Sequence, residues 1–278
     1  MRRAAAPSIV WVLAAVAAAG QQPEPQHPAG GPPAAALAAF KAHIRYTESG
    51  LDSLLQDGNA FLWAKSEAQR ARLQKGSVIC EPRIGKGERA VKSGLIHDWV
   101  GAVFVPGASV GRVLKLIQEY DNHKNAYPSN VIDSKIISRK GNDLTVYLRL
   151  LERKGGITVV LDTDYEVEYR PLGNGDWRSR SYSTRIQEVE NAGRRNERRK
   201  PAGEGRGYLW ALNTYWLFRE RDGGAYVECE AVSLSRGLPP ILSFMARSIV
   251  RGLPRGFLQN TLEDTRDLVL GKPPRVRR

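Results

Sequence analysis

The sequence predicts an α+β fold: a strongly curved antiparallel sheet wrapped around a long C-terminal helix, preceded by a helical N-terminal extension. Three observations predict it. The hydrophobic period changes from helical to alternating near residue 77 and stays mostly alternating to about 236. Short turn segments (Lys140-Gly141-Asn142, Gly173-Asn174-Gly175, Asp222-Gly223-Gly224) separate successive strand-like runs, so those neighbours pair antiparallel. The chain then returns to an apolar helical stripe over 239–270. A sheet that grips such a helix commonly leaves a cavity between its concave face and the helix.

Residues 1–20 have the layout of a secretory signal peptide. Arg2-Arg3 precede the apolar run 8–19, and Ala17-Ala18-Ala19 offer a small-residue cleavage site. The run is shorter than the roughly 20 residues that span a bilayer, which favours cleavage over an uncleaved anchor. Residues 21–33 form a Pro/Gly-rich linker. The extension, 34–76, holds a helix over 34–46 with Leu37, Phe40 and Ile44 on one face, an apolar plug at Phe61-Leu62-Trp63, and a second helix over 66–75 with Ser66 as its cap.

The main domain is read as 77–271. Strands are expected over 77–82, 89–93 and 95–105. Pro106-Gly107 then breaks the chain, and Ser109 caps a helix carrying Val110, Val113, Leu114 and Ile117 on one face. A short turn or helix covers 121–127 and stops at Pro128. Strands follow over 131–139, 143–153, 157–170, 176–189, 207–220 and 225–236. In 157–170, Ile157, Val159, Leu161, Tyr165 and Val167 alternate with Asp162, Asp164, Glu166 and Glu168, the pattern of a long half-buried strand. Pro239-Pro240 opens the closing helical region, and Gly252 and Pro254 are expected to interrupt it before a last helix at about 255–270. Residues 272–278 are a basic tail.

The chain has 278 residues, is 42% hydrophobic and carries six Trp, enough for a real core. Its net charge is +13, or +11 without Arg2 and Arg3. Residues 194–200 and 272–278 carry +4 each, so the body is only mildly basic. The 194–200 loop is either a solvated loop or a contact for an anionic membrane surface. No nucleic-acid-binding motif is present. Export implies an oxidising compartment, and Cys80 and Cys229 leave a disulfide open.

The stretch from Gly94 to Pro128, ending in YDNHKNAYP, together with the closing helix at 239–270, resembles the helix-grip superfamily. That superfamily includes START lipid-transfer domains, birch-pollen-allergen (Bet v 1)-like proteins and polyketide cyclases. The likeness covers roughly 90–270 and is nearest in pattern to exported bacterial members. It implies a cavity that takes a lipid, sterol, quinone or polyketide. No catalytic set of the superfamily maps onto this chain residue by residue.

No nucleophile elbow, phosphate loop or zinc-spaced Cys/His set occurs, and no cofactor or metal is expected. His97-Asp98 and His123 are candidates for acid–base work or for plain packing. Polar residues inside apolar strands stand out more: Tyr147 and Arg149, Arg180 and Tyr182, Asn213 and Tyr215, and Glu230. If their faces are concave, Arg149 or Arg180 pairs with Glu230 and orients a ligand head group. If convex, they make ordinary cross-strand ion pairs. Tyr165, Trp210, Phe244 and Phe257 complete the expected ligand-binding set.

The reading is an exported, non-enzymatic binding or carrier protein for a hydrophobic ligand. The alternatives are a cyclase- or hydrolase-type enzyme in the same fold, and an interaction protein with a collapsed interior.

Overall fold

The computed structural model describes residues 31–58, 60–154, 157–237 and 244–276. The expected signal peptide and nearly all of the expected linker lie outside these residues. So do the side chains of 244–253.

The extension consists of α1 (Ala34–Gln56) and α2 (Glu67–Gln74). α1 is longer than expected. Gly50 does not stop it, because Leu51 continues its buried face beyond Ala36, Phe40, His43 and Thr47. In α2, Ser66 and Gln69 form the reciprocal capping box. Then come β1 (Ile79–Pro82), β2 (Glu88–Val91), β3 (Gly94–Pro106) and α3 (Val110–Gln118), which Ser109 caps as predicted. A 3-10 turn (Tyr120–Asn122) leads into α4 (His123–Ala126). The remaining elements are β4 (Val131–Lys140), β5 (Asp143–Lys154), β6 (Ile157–Gly173), β7 (Asp176–Glu190), β8 (Arg198–Arg199), β9 (Ala211–Arg221), β10 (Gly224–Ser235) and α5 (Phe244–Val269). β9 begins later than expected. Residues 205–208 instead wrap the Glu188 carboxylate, which accepts the amide hydrogens of Arg206, Gly207 and Tyr208 at 2.9, 2.8 and 3.1 Å. α5 runs through Pro254 without a break.

The strands form one antiparallel sheet in the order β1-β3-β10-β9-β7-β6-β5-β4, with β2 also on β3 and β8 on β7. From β3 onward, the order is a strand, two helices, seven strands (the two-residue β8 among them), then a long helix. That order, with β3 brought beside β10, is the helix-grip fold.

The sheet buries both faces, but against different partners. On the gripped face, Val103, Val105, Val146, Tyr165, Val167, Tyr169, Phe218 and Val227 pack with α3 and with Leu258, Leu262 and Val269 of α5. On the opposite face, Ile96, Val100, Phe104, Leu217, Tyr226, Val232 and Leu234 pack with Phe40, Leu51, Phe61, Leu62, Trp63 and Leu73 of the extension. β3 therefore reads as a continuous apolar run because both its faces are covered. Beyond Arg180 and Tyr182 of β7, which α1 covers, the outer face of β5, β6 and β7 is a charged surface, where Arg185 pairs with Asp164 at 2.7 Å and Arg178 with Glu168 at 3.5 Å.

α5 crosses β3 at Gly101. A Cβ there would lie 2.4 Å from Leu262 Cδ1 and 3.1 Å from Leu258 Cγ. Cys80 and Cys229 are the register partners of Gly101 on either side. Their backbones are thus two strand spacings apart, about 10 Å, too far for a disulfide. Both thiols are free and buried.

Candidate functional site

A cavity of about 120 Å³ lies between the gripped face of the sheet and α5. Its sheet wall is made by Val146, Leu148 and Leu150 of β5, Tyr165 and Val167 of β6, Ser179 and Ser181 of β7, and Leu212, Thr214 and Trp216 of β9. Ile117 and Tyr120 close it from α3 and the 3-10 turn, and His123 and Tyr127 from α4 and the residue after it. Phe257 and Thr261 cover it from α5. The space exists because small side chains, Ser179, Ser181 and Thr214, occupy alternate positions on β7 and β9, where Phe218 and Val227 fill the neighbouring core.

The polar groups around the cavity are uncharged. The Tyr120 and Tyr169 hydroxyls pair at 2.9 Å, and the Tyr127 hydroxyl pairs with Thr265 Oγ1 at 3.0 Å. Burial pushes the Tyr120 and Tyr165 phenols up to about 12, and raises those of Tyr127 and Tyr169 as well. His123 Nε2 donates to the Ile117 carbonyl at 2.8 Å, which leaves Nδ1 as the acceptor nitrogen. Burial lowers His123 to about 4, against the opposing effect of that hydrogen bond, so the ring is neutral near pH 7. Two buried oxygens on the wall, Tyr165 Oη and Ser179 Oγ, make no hydrogen bond of good geometry, although they lie near Thr163 and Tyr169. No Asp, Glu, Lys or Arg lines the cavity among the described residues. No cluster of His, Cys, Asp or Glu there is arranged to hold a metal ion.

Of the expected ligand-binding residues, the structure brings Tyr165 and Phe257 to the cavity. Phe244 falls where side chains are not described. The other eight face or pack on the opposite side, which corrects the expectation that Arg149 or Arg180 meets Glu230 inside. Strand alternation puts Arg149 and Tyr147 with the acidic positions of β6. Asp162 accepts Arg149 Nε and Tyr147 Oη, both at 2.7 Å, and also Arg199. Burial alone would raise this carboxyl, but those hydrogen bonds outweigh it and hold it at about 2.

Arg180 pairs with Asp52 of α1, and Glu48 of α1 accepts the Tyr182 and Tyr215 hydroxyls at 2.9 and 3.0 Å. Asn213 lies on that face next to Tyr182 in register, and Trp210 packs against the extension-side core. Glu230 meets Arg83 at 3.3 Å; burial, reinforced by Asp98, raises it to about 7. Beside it, His43 of α1 contacts Asp98 at 2.7 Å and Arg89 at 3.3 Å. Arg89 can only donate, so His43 Nδ1 accepts and Nε2–H donates to Asp98. These residues bind the extension to the sheet. His97, in turn, contacts Ser235 at 3.1 Å.

The basic loop 194–200 is partly neutralised from within: Arg198 and Lys200 pair with Glu190 at 2.8 Å each, and Arg199 with Asp162.

No family model matches the chain, and no curated protein does. Solved structures similar to it include a STAR-related lipid transfer protein from Xanthomonas axonopodis, 17% identical, covering 70% of this chain and 98% of that one with a TM-score of 0.44. Human STARD10 is 13% identical over 74% of this chain and 80% of its own, with a TM-score of 0.42. The Zhui aromatase/cyclase of a Streptomyces strain is 14% identical over 63% and 92%, with a TM-score of 0.37. At these identities the likeness concerns the fold alone, and the fold itself is assigned from the strand order and the gripped helix.

Proposed function

We propose that this chain is an exported binding or carrier protein that holds a hydrophobic ligand between the sheet and α5. The observation that carries the reading is the cavity itself: about 120 Å³, walled mainly by aliphatic and aromatic side chains on a rigid sheet. The solved structures with this fold include lipid-transfer proteins and aromatase/cyclases, which accords with a ligand of that character. Export rests on the leader-like 1–20, and a contact with anionic membrane through Arg194 and Arg195 remains part of the proposal.

Native mass spectrometry of the purified chain tests the reading. It should recover a bound apolar molecule, and Leu148→Trp, which fills the cavity, should abolish that species without unfolding the protein. A wild-type chain that carries and accepts no apolar molecule would refute it.

A further inference from the structure

We infer that the cavity selects an uncharged, ring-sized molecule bearing a hydroxyl or carbonyl oxygen, anchored at Tyr165 or at Ser179, and excludes fatty-acid and phosphate anions. This deepens the binding reading above and rests on it.

Size comes first. An apolar cavity of about 150 Å³ admits one benzene ring. A space of about 120 Å³ therefore takes about one ring at most, not an acyl-chain pair. Charge comes second. An anion brought here would meet no described Arg or Lys on the wall. His123 supplies no cation near neutral pH, because its ring is buried and its Nε2–H is committed to Ile117. A buried carboxylate without a partner costs several kcal/mol, more than the ring's burial returns. Direction comes third. Tyr165 is 4% exposed and Ser179 2% exposed, yet Tyr165 Oη and Ser179 Oγ lack a well-formed hydrogen bond. Buried hydroxyls in that state cost stability until a ligand oxygen pairs with them. Both sit on the sheet wall, but Ser179 stands opposite Tyr169, four residues along from Tyr165, so a single ligand oxygen pairs with one of them.

Three probes with one skeleton separate the elements of this inference: 4-methylphenol, toluene and 4-methylbenzoate, titrated into the full chain at neutral pH and followed by amide NMR shifts. 4-Methylphenol should bind tightest and toluene about fivefold more weakly, the equivalent of one modest hydrogen bond. 4-Methylbenzoate should not saturate. Tyr165→Phe and Ser179→Ala should each fold normally, and one of the two should bring 4-methylphenol to the toluene value; a wild-type preference that survives in both overturns the anchor. Binding of 4-methylbenzoate as tight as that of 4-methylphenol, or equal binding of 4-methylphenol and toluene in the wild type, overturns the inference while leaving the carrier reading intact. Saturable binding of none of the three, together with no apolar molecule in the native mass spectrum, overturns both.

Discussion

Glu228 is completely buried on the extension side, yet it has no cation within salt-bridge distance among the described residues. Instead its carboxylate accepts the backbone N–H groups of Leu62, Trp63 and Ala64 at 2.7, 2.9 and 2.8 Å. That single side chain fixes the apolar plug over β10. Glu228→Ala leaves three orphaned amides and should cost about 3–5 kcal/mol, with hydrogen exchange accelerating first at Leu62–Ala64. Gly101 acts by what it lacks. Gly101→Val must push Leu262 and α5 off β3, and overpacking of this kind costs about 1–3 kcal/mol, measurable by urea denaturation.

Two buried groups make stability depend on pH in opposite senses. Glu230 is raised from 4.5 to about 7, so its contribution is full below 4.5 and is lost as pH rises through 7. The groups facing it are Asp98 of β3, Arg83 after β1, and His43 of α1 through Asp98, with Arg89 and Glu88 of β2 beside them. His123 is lowered from 6.5 to about 4, so its contribution is full above 6.5 and is lost as pH falls through 4. Thermal melts should show Glu230→Gln flattening the alkaline fall, and His123→Gln flattening the acid one. An unchanged alkaline limb in the Glu230 variant would show that the carboxyl titrates elsewhere.

At the scale of elements, α1 and α2 act as a lid on the outer face of the sheet rather than a separate body. Their removal would expose Ile96, Val100, Phe104, Leu217, Tyr226 and Leu234 together. A chain starting at residue 77 should therefore bind a hydrophobic dye and aggregate, while a full chain should do neither. The same pair of helices explains how much could be read in advance. The order of elements along the chain, the Ser109 cap and the alternation of β6 were legible because each is local to a few residues; the pairing of β3 with β10 is not. The concave face was not, because curvature and the identity of the covering helix are properties of the assembled sheet. Arg180, Tyr182, Tyr215 and Glu230 looked like ligand groups because they are polar residues in apolar strands. Glu48 and Asp52, the partners of the first three, lie more than a hundred residues away, on a helix whose docking face the sequence did not reveal, and Arg83, the partner of Glu230, is equally distant. Ser179, Ser181 and Thr214 escaped notice, although small residues at alternate positions on two paired strands are the signal that a wall recedes. α5 departs from the expected break at Pro254, because a proline inside a helix removes one backbone hydrogen bond that the rest of a long helix can tolerate.

At the scale of the molecule, one sheet carries two separate jobs. Its outer face spends its polar residues on holding the N-terminal extension, with ion pairs and tyrosine–carboxylate bonds. Its inner face spends its core on gripping α5 beside β3, and leaves the β5–β9 end unfilled. The division accounts for why the charged residues cluster away from the cavity and why the cavity wall is neutral. A crystal structure of the protein purified without added ligand tests this most directly. Non-protein electron density of ring size should appear between Phe257 and Tyr165, with an oxygen within hydrogen-bonding reach of Tyr165 Oη or Ser179 Oγ. A closed interior, with Trp216 and Phe257 packed into that space and no density between them, would contradict it.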